Sequence, residues 1–243
     1  MAMDLTELLG ATGLAFEARS FVPERTALLL VDMQVLATGA WLVYEAEQKG
    51  IARAAASAAV EELDARLNLA TENARRVLDA CRRVGVRPIH VKIESLTKDG
   101  ADVGRLHKRH HFYVTPGSPW GAFLEPVAPR AGEIVLTKTC SNAFVGTNLD
   151  RVLRNLGVEQ VIVVGFYTDQ CIESAARDAA DLGYDVTLVA DACAALTQAA
   201  HDHALAAITN VYVRKDSTTS VVTALEAAAP AGVSALGGGQ ADK

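Results

Sequence analysis

The chain has 243 residues, half of them hydrophobic, and carries 23 Lys and Arg against 29 Asp and Glu, a net charge of −6. This composition favours one globular domain with a substantial core, and the mild negative charge excludes general attraction to nucleic acid. The apolar runs fall far short of the roughly 20 residues that span a bilayer, and the N-terminus lacks signal-peptide order, so we expect a cytoplasmic protein without membrane contact.

Apolar segments rich in Val, Ile and Leu alternate with amphipathic segments along the chain. We predict strands at residues 26–32, 87–93, 133–138, 159–166, 184–191 and 210–213. We predict helices at residues 64–84, 148–156, 171–182, 198–208 and 218–228. This order indicates an α/β protein with three α/β/α layers and a central, mostly parallel six-stranded sheet. A Rossmann-like sheet would have the strand order 3-2-1-4-5-6.

The domain organisation is predicted to be simple. We expect a single domain over residues 1–229, with its core at about 22–215, and a flexible C-terminal tail at 230–243. Two long segments, 35–63 and about 94–131, follow the carboxyl ends of strands, where open α/β sheets form their sites. Both segments are predicted to form pocket walls. The first contains an alanine-rich stretch that indicates extra helix, packed over the site or against a second subunit.

Cysteine positions single out one thiol. The four cysteines form no C-x-x-C pair, and we interpret them as reduced thiols. Cys171 follows the fourth strand in "GFYTDQC", at the start of a predicted helix, where unpaired N–H groups and the helix dipole lower the pKa of a thiol. Cys81, Cys140 and Cys193 are interpreted as small buried hydrophobic residues.

Two charged residues are predicted to meet Cys171 at one edge of the sheet. Asp32 ends the first strand and Lys138 ends the third, so we expect an Asp32–Lys138 ion pair close to the Cys171 sulfur. The ammonium would lower the pKa of the thiol further, and the carboxylate would accept its proton and return it to a leaving amine. N–H groups of the turn at 166–171 would bind an oxyanion. These groups fit acyl transfer, although an ion pair without catalysis would also satisfy both charges.

Three histidines close together in the sequence form another candidate cluster. His107, His110 and His111 resemble a metal site by residue type. Arginine and lysine residues are interleaved with them and would repel a cation. We therefore predict no metal and no cofactor.

Three longer motifs resemble the isochorismatase-like cysteine hydrolases. They are "LLLVDMQ" with Asp32, "IVLTKTCSNAFVGTNLDRVLRNLGVEQVIVVGF" with Lys138, and "GFYTDQCIESAARDAADLGYDVTLVADA" with Cys171. The resemblance implies that these three residues form a catalytic triad. It also implies a cis peptide between Phe166 and Tyr167, and an oxyanion hole formed by the N–H groups of Tyr167 and Cys171.

The resemblance extends over about residues 22–215 and implies an activity. It favours an amidohydrolase of a small amide or ureide, similar to ureidoacrylate, biuret and triuret hydrolases, that works through a thioester and releases ammonia or an amine. It also implies a homodimer or homotetramer. The Asp-x-His metal motif of nicotinamidases has no equivalent after the first crossover. Two alternatives are an enol-ether hydrolase of the isochorismatase type and a catalytically silent binding or assembly module.

A small urea-like substrate needs several fixed donors, acceptors and walls. Polar and aromatic residues near the triad and in the two long segments are expected to provide them: Gln34, Trp41, Tyr44, His111, Trp120, Asn142, Thr168 and Gln170. Asn142 stands where many relatives of the family carry a small hydroxyl residue.

Overall fold

A parallel β-sheet forms the centre of the molecule in the computed structural model, which describes residues 4, 7–8, 11–12, 20–209 and 211–228. The strands are β1 (Thr26–Val31), β2 (Arg87–Ile93), β3 (Ile134–Lys138), β4 (Gln160–Phe166), β5 (Asp185–Ala194) and β6 (Arg214–Asp216). Their order is β3-β2-β1-β4-β5-β6, and every neighbouring pair is parallel. The predicted fold class and strand order are confirmed. The predicted tail at 230–243 lies outside the described residues.

Helices cover both faces of this sheet. They are α1 (Gly39–Gln48), α2 (Arg53–Val84), α3 (Arg105–His110), α4 (Leu149–Asn155), α5 (Glu173–Asp181), α6 (Gln198–Ile208) and α7 (Thr218–Ala227). Leu29 and Val31 of β1 join the cluster under α4, α5 and α6, whereas Leu28 and Leu30 join the cluster under α2 and α7. Burial on both faces explains why β1 is continuously apolar. No helix among the described residues is long and apolar enough to cross a bilayer.

The long segment after β1 is helical instead of forming an open loop. The crossover helix α2 begins at Arg53, not at residue 64, and has 32 residues because the alanine-rich stretch continues it without a break. It ends at Val84, and the next residue, Gly85, has a φ of +85°, the left-handed conformation that glycine adopts most easily. A second helix, α1, precedes it. The extra helix predicted for this segment is therefore present in two parts.

Two further elements differ from the prediction. The segment predicted as a helix from residue 171 begins earlier, with a π-helical turn at Thr168–Ile172 that leads into α5. The last strand is Arg214–Asp216, not 210–213. The apolar Val213 is fully buried but makes only an isolated bridge, whereas the charged residues after it pair with β5 at the sheet edge, where charge is tolerated.

The carboxyl ends of β1 and β4 approach each other unusually closely. Gly165 of β4 has a φ of +129°, and a Cβ atom built on it would overlap the carbonyl oxygen of Val31. The pairing of β4 with β5 also shifts register between Val163 and Gly165. Only glycine fits this position, since it has no Cβ and tolerates positive φ. The close approach lies directly before Asp32 on one strand and before the turn that carries Cys171 on the other.

Candidate active site

Three strand ends place the predicted triad at one edge of the sheet. Asp32 follows β1 directly, with a φ of +54°, and its N–H donates to Val91 O at 2.9 Å. Lys138 is the last residue of β3 and lies opposite Ile93 of β2. Cys171 lies in the π-helical turn after β4. The three residues are only 2–3% exposed, so the charges and the sulfur interact in a site from which water is largely excluded.

The Lys138 ammonium contacts both of the other residues of the predicted triad, Asp32 and Cys171. Its Nζ atom lies 2.7 Å from Asp32 Oδ2 and donates to Cys171 Sγ at 3.4 Å. It also donates to the backbone oxygens of Cys140 at 3.0 Å and Ser141 at 2.8 Å. The predicted ion pair close to the sulfur is confirmed. The long lysine side chain spans β2, which separates β3 from β1 in the sheet.

Burial and the ion pair together set the charges of Lys138 and Asp32. Burial alone would lower the pKa of Lys138, but the Asp32 carboxylate and the Cys171 sulfur beside it raise that pKa above its ordinary value. Burial raises the pKa of Asp32, and the ammonium opposes this shift. The lysine is therefore firmly protonated, and Asp32 is a more basic carboxylate than one in water.

The Cys171 thiol behaves differently from the sequence prediction. Burial raises the pKa of the Cys171 thiol, the Asp32 carboxylate raises it further, and Lys138 only partly opposes them. The predicted lowering of this pKa is wrong, because it considered the helix start and the lysine but not the loss of water around the sulfur. This direction favours a neutral thiol, and the Asp32 carboxylate beside it is placed to accept the thiol proton.

The turn that carries the cysteine is tied to the segment after β1. The peptide bond between Phe166 and Tyr167 is cis. Tyr167 O accepts from the N–H groups of Gln170 at 3.0 Å and Ile172 at 3.2 Å, and Tyr167 Oη donates to Ala37 O at 2.7 Å. These bonds fix the backbone around the sulfur. An oxyanion hole formed by the N–H groups of Tyr167 and Cys171 stays a prediction.

A cavity of about 630 Å³ opens onto Cys171. Both long segments contribute walls: Trp41 comes from α1, while Leu106 and His107 come from α3 and Phe112 follows that helix. Of the predicted substrate-binding residues, Trp41 and Gln170 line the cavity. The prediction that these two segments form pocket walls is confirmed.

Three predicted substrate-binding side chains are instead used inside the protein. The Gln34 amide donates to Ile93 O at 3.1 Å and Gly121 O at 3.2 Å and accepts from Ile93 N–H at 2.8 Å. Thr168 Oγ1 lies 2.7 Å from a histidine ring nitrogen of α6. The Asn142 amide donates to the backbone of α5 at 3.2 Å and accepts a local N–H at 2.8 Å. These contacts occupy the polar groups, and none of the three lines the cavity.

The other three predicted residues also lie outside the cavity lining. The rings of Tyr44 and Trp120 contact each other, with centroids 5.1 Å apart, so the two residues support the region around α1. His111 follows the last residue of α3, has a φ of +53° and is exposed. Sequence spacing placed these residues in the correct segments but could not determine which way each side chain points.

His107 is a cavity residue that the sequence analysis did not assign to substrate binding. It is 4% exposed, and its Nε2 atom lies 3.2 Å from Ser141 Oγ. Burial, together with the positive charge of Lys138, lowers the pKa of His107 to about 4, so the ring is neutral at pH 7. No group of three His, Cys, Asp or Glu side chains within the described ranges is placed to hold a metal ion.

Comparison with known proteins identifies the family to which this fold and site belong. The isochorismatase domain model matches residues 26–224, and the chain belongs to the isochorismatase family. The fold is shared with a cysteine hydrolase from Pseudomonas syringae pv. phaseolicola, with a TM-score of 0.71 and 23% identity over 87% of this chain and 97% of that one. N-carbamoylsarcosine amidase from Thermoplasma acidophilum is 26% identical, with a TM-score of 0.57 over 80% of this chain and 96% of that one.

Several curated relatives are named as amidohydrolases. Maleamate amidohydrolase of Pseudomonas putida is 34% identical over 122 residues, which are 49% of this chain and 57% of that protein. Ureidoacrylate amidohydrolase of Serratia proteamaculans is 27% identical over 194 residues, 72% of each chain. The match to maleamate amidohydrolase thus spans little more than half the length of that relative.

Proposed function

We propose that this protein is a cysteine-dependent amidohydrolase that cleaves the C–N bond of an amide or ureide through a thioester on Cys171. The observation that carries the proposal is the contact of one buried ammonium, Lys138, with both the Asp32 carboxylate and the Cys171 sulfur at the base of a cavity. The relatives named as amidohydrolases support the same class of reaction.

In the first half of the reaction, Cys171 Sγ forms a bond to the amide carbonyl carbon while its proton passes to Asp32. The negative charge that develops on the carbonyl oxygen is stabilised by N–H groups of the turn, with Tyr167 and Cys171 as the donors. The tetrahedral adduct then collapses, the C–N bond breaks, and Asp32 protonates the leaving nitrogen. Ammonia or an amine departs and leaves a thioester.

In the second half, a water molecule attacks the thioester carbonyl and gives a proton to Asp32. The C–S bond breaks, the acid product leaves, and Asp32 returns the proton to the sulfur. Lys138 stays protonated throughout, stabilises the sulfur whenever it carries negative charge, and holds the carboxylate in place. The net reaction consumes one water molecule and restores the thiol and the carboxylate.

Substitution of the nucleophile tests this route. Cys171→Ala and Cys171→Ser should fold and lose at least about 10³-fold in kcat, and Asp32→Asn should bind the amide without hydrolysing it. Cys81→Ala is the matched control, because it removes a fully buried sulfur on the opposite face of the sheet and should stay active. The measurements are ammonia release over a panel of amides and ureides, and mass spectrometry for an acyl adduct on Cys171.

The same experiment distinguishes the enol-ether alternative. In that reaction Asp32 would act as the acid and the cysteine would be dispensable. Full activity of Cys171→Ala, together with turnover of isochorismate, would refute the thioester route and favour the alternative.

A further inference from the structure

The size of the cavity at Cys171 limits what the substrate can be. Its volume of about 630 Å³ corresponds to about twenty water molecules at their liquid density. A small ureide of fewer than about ten non-hydrogen atoms would leave more than half of that space to water. A cavity of this size fits a substrate with a larger body attached to the scissile amide.

The walls of the cavity are largely apolar. Trp41 and Phe112 pack edge to face, with ring centroids 5.2 Å apart, and both line the cavity that contains Cys171. Leu106 and Leu196 line the same cavity and are 56% and 40% exposed. Exposed leucines beside an aromatic wall that is only partly buried indicate a surface that an apolar ligand covers.

The charged groups of the cavity do not provide a buried site for a carboxylate. Lys138 is already in contact with Asp32, Cys171 and two backbone carbonyl groups. Glu45, Lys49, His107 and His110 are the acidic and basic side chains that line the cavity. Burial lowers the pKa of His107 to about 4, and Lys49 and His110 are exposed. Among the described residues, no arginine lines this cavity. A substrate carboxylate held against the apolar walls would lose its water without gaining an ion pair.

We propose that the substrate is an amide whose carbonyl carries a bulky apolar group, aromatic or branched, that packs against Trp41, Leu106 and Phe112, and not a small ureide or an amide with a carboxylate next to the reacting group. The proposal rests on the amidohydrolase function above and specifies its substrate class. The apolar group displaces water from the walls and places the carbonyl at Cys171 Sγ. The exposed leucines at the cavity become covered when it binds.

Steady-state kinetics with a matched set of amides test the proposal. The set is phenylacetamide and isovaleramide as apolar substrates, acetamide and biuret as small ones, and maleamate as the carboxylate. The value of kcat/KM for phenylacetamide should exceed the values for acetamide, biuret and maleamate by about 10²-fold, as burial of an aromatic ring predicts. Preference for any of these three would overturn the proposal while leaving the amidohydrolase function intact.

A charged substitution on the apolar wall provides a second test. Leu106→Arg should fold, because the residue is 56% exposed, and should lower kcat/KM for phenylacetamide at least about 10-fold relative to maleamate. Leu182→Arg is the matched control, since Leu182 is 38% exposed and lies outside the cavity lining. An unchanged substrate ratio in Leu106→Arg would contradict the proposal.

Binding to the inactive Cys171→Ala variant separates the two hypotheses. Calorimetric titration should show that phenylacetamide binds at least about 10-fold more tightly than acetamide, even if the wild type turns over no substrate in the set. Absence of turnover with this binding preference would refute the amidohydrolase function alone. Equal affinity for the two amides would refute the proposal of an apolar substrate.

Light scattering of the wild type and of Leu106→Arg checks whether a second copy of the chain covers the exposed leucines instead. Loss of a dimer in the variant would also overturn the proposal.

Discussion

Removal of one charge from the buried ion pair should destabilise the protein more than removal of both. Lys138 Nζ and Asp32 Oδ2 are 2.7 Å apart, and the two side chains are 0% and 4% exposed. With an effective dielectric constant of about 20, their attraction is about 6 kcal/mol, much of which offsets the cost of taking both charges out of water. Lys138→Met should therefore lower the free energy of unfolding by about 3–5 kcal/mol, because it leaves the carboxylate buried without its partner.

The double variant Lys138→Met/Asp32→Asn should recover at least about 2 kcal/mol relative to Lys138→Met, since neither charge remains. Urea unfolding followed by circular dichroism measures both changes. Arg83→Met is the control: Arg83 Nη2 lies 2.8 Å from Glu226 Oε1, but these side chains are 56% and 54% exposed, so the cost should stay at about 1 kcal/mol or below. Equal costs for Lys138→Met and Arg83→Met, or strictly additive effects in the double variant, would refute the reasoning.

Three further predictions concern the backbone at Gly165, the stability of the protein at acidic pH, and the pKa of the Cys171 thiol. Gly165→Ala should cost at least about 2 kcal/mol in unfolding free energy, whereas Gly117→Ala, with positive φ but open space, should cost about 1 kcal/mol. Burial alone would raise the pKa of Glu133, but the Arg82 guanidinium holds that pKa at about 2 in the folded state. The free energy of unfolding should therefore fall as the pH drops from about 5 to about 2, and it should fall less steeply in Glu133→Gln. Alkylation of Cys171 by iodoacetamide, followed by peptide mass spectrometry, should have a pH midpoint above that of free cysteine; a midpoint below it would contradict the neutral resting thiol.

The sheet and the cluster of Asp32, Lys138 and Cys171 were predictable from the sequence because their signals are local. β1 and β4 are continuous apolar runs, as strands buried on both faces must be. Asp32, Lys138 and Cys171 each follow such a run, and parallel strands bring their carboxyl ends to one edge. The last strand was misplaced for the same reason. Its residues, Arg214–Asp216, are charged, and only pairing with β5 at the sheet edge identifies them.

The cavity and the thiol pKa were less predictable because they depend on contacts distant in sequence. His107 and Phe112 line the cavity as a result of where the short helix α3 docks, which the pattern around them does not encode. The direction of the pKa shift of Cys171 depends on burial, and burial is a property of the whole fold. Sequence spacing therefore located the cluster of Asp32, Lys138 and Cys171 but not the walls of the cavity.

The amide of Gln34 has a consequence for how this protein can be changed. It hydrogen-bonds Ile93 at the end of β2 and Gly121 further along, so both ends of the intervening segment are held by one side chain two residues after Asp32. The residues between these two anchors contribute Leu106, His107 and Phe112 to the cavity. Substitutions at the cavity-lining residues of this segment should therefore change the walls of the cavity, while the hydrogen bonds of Gln34 hold its two ends in place.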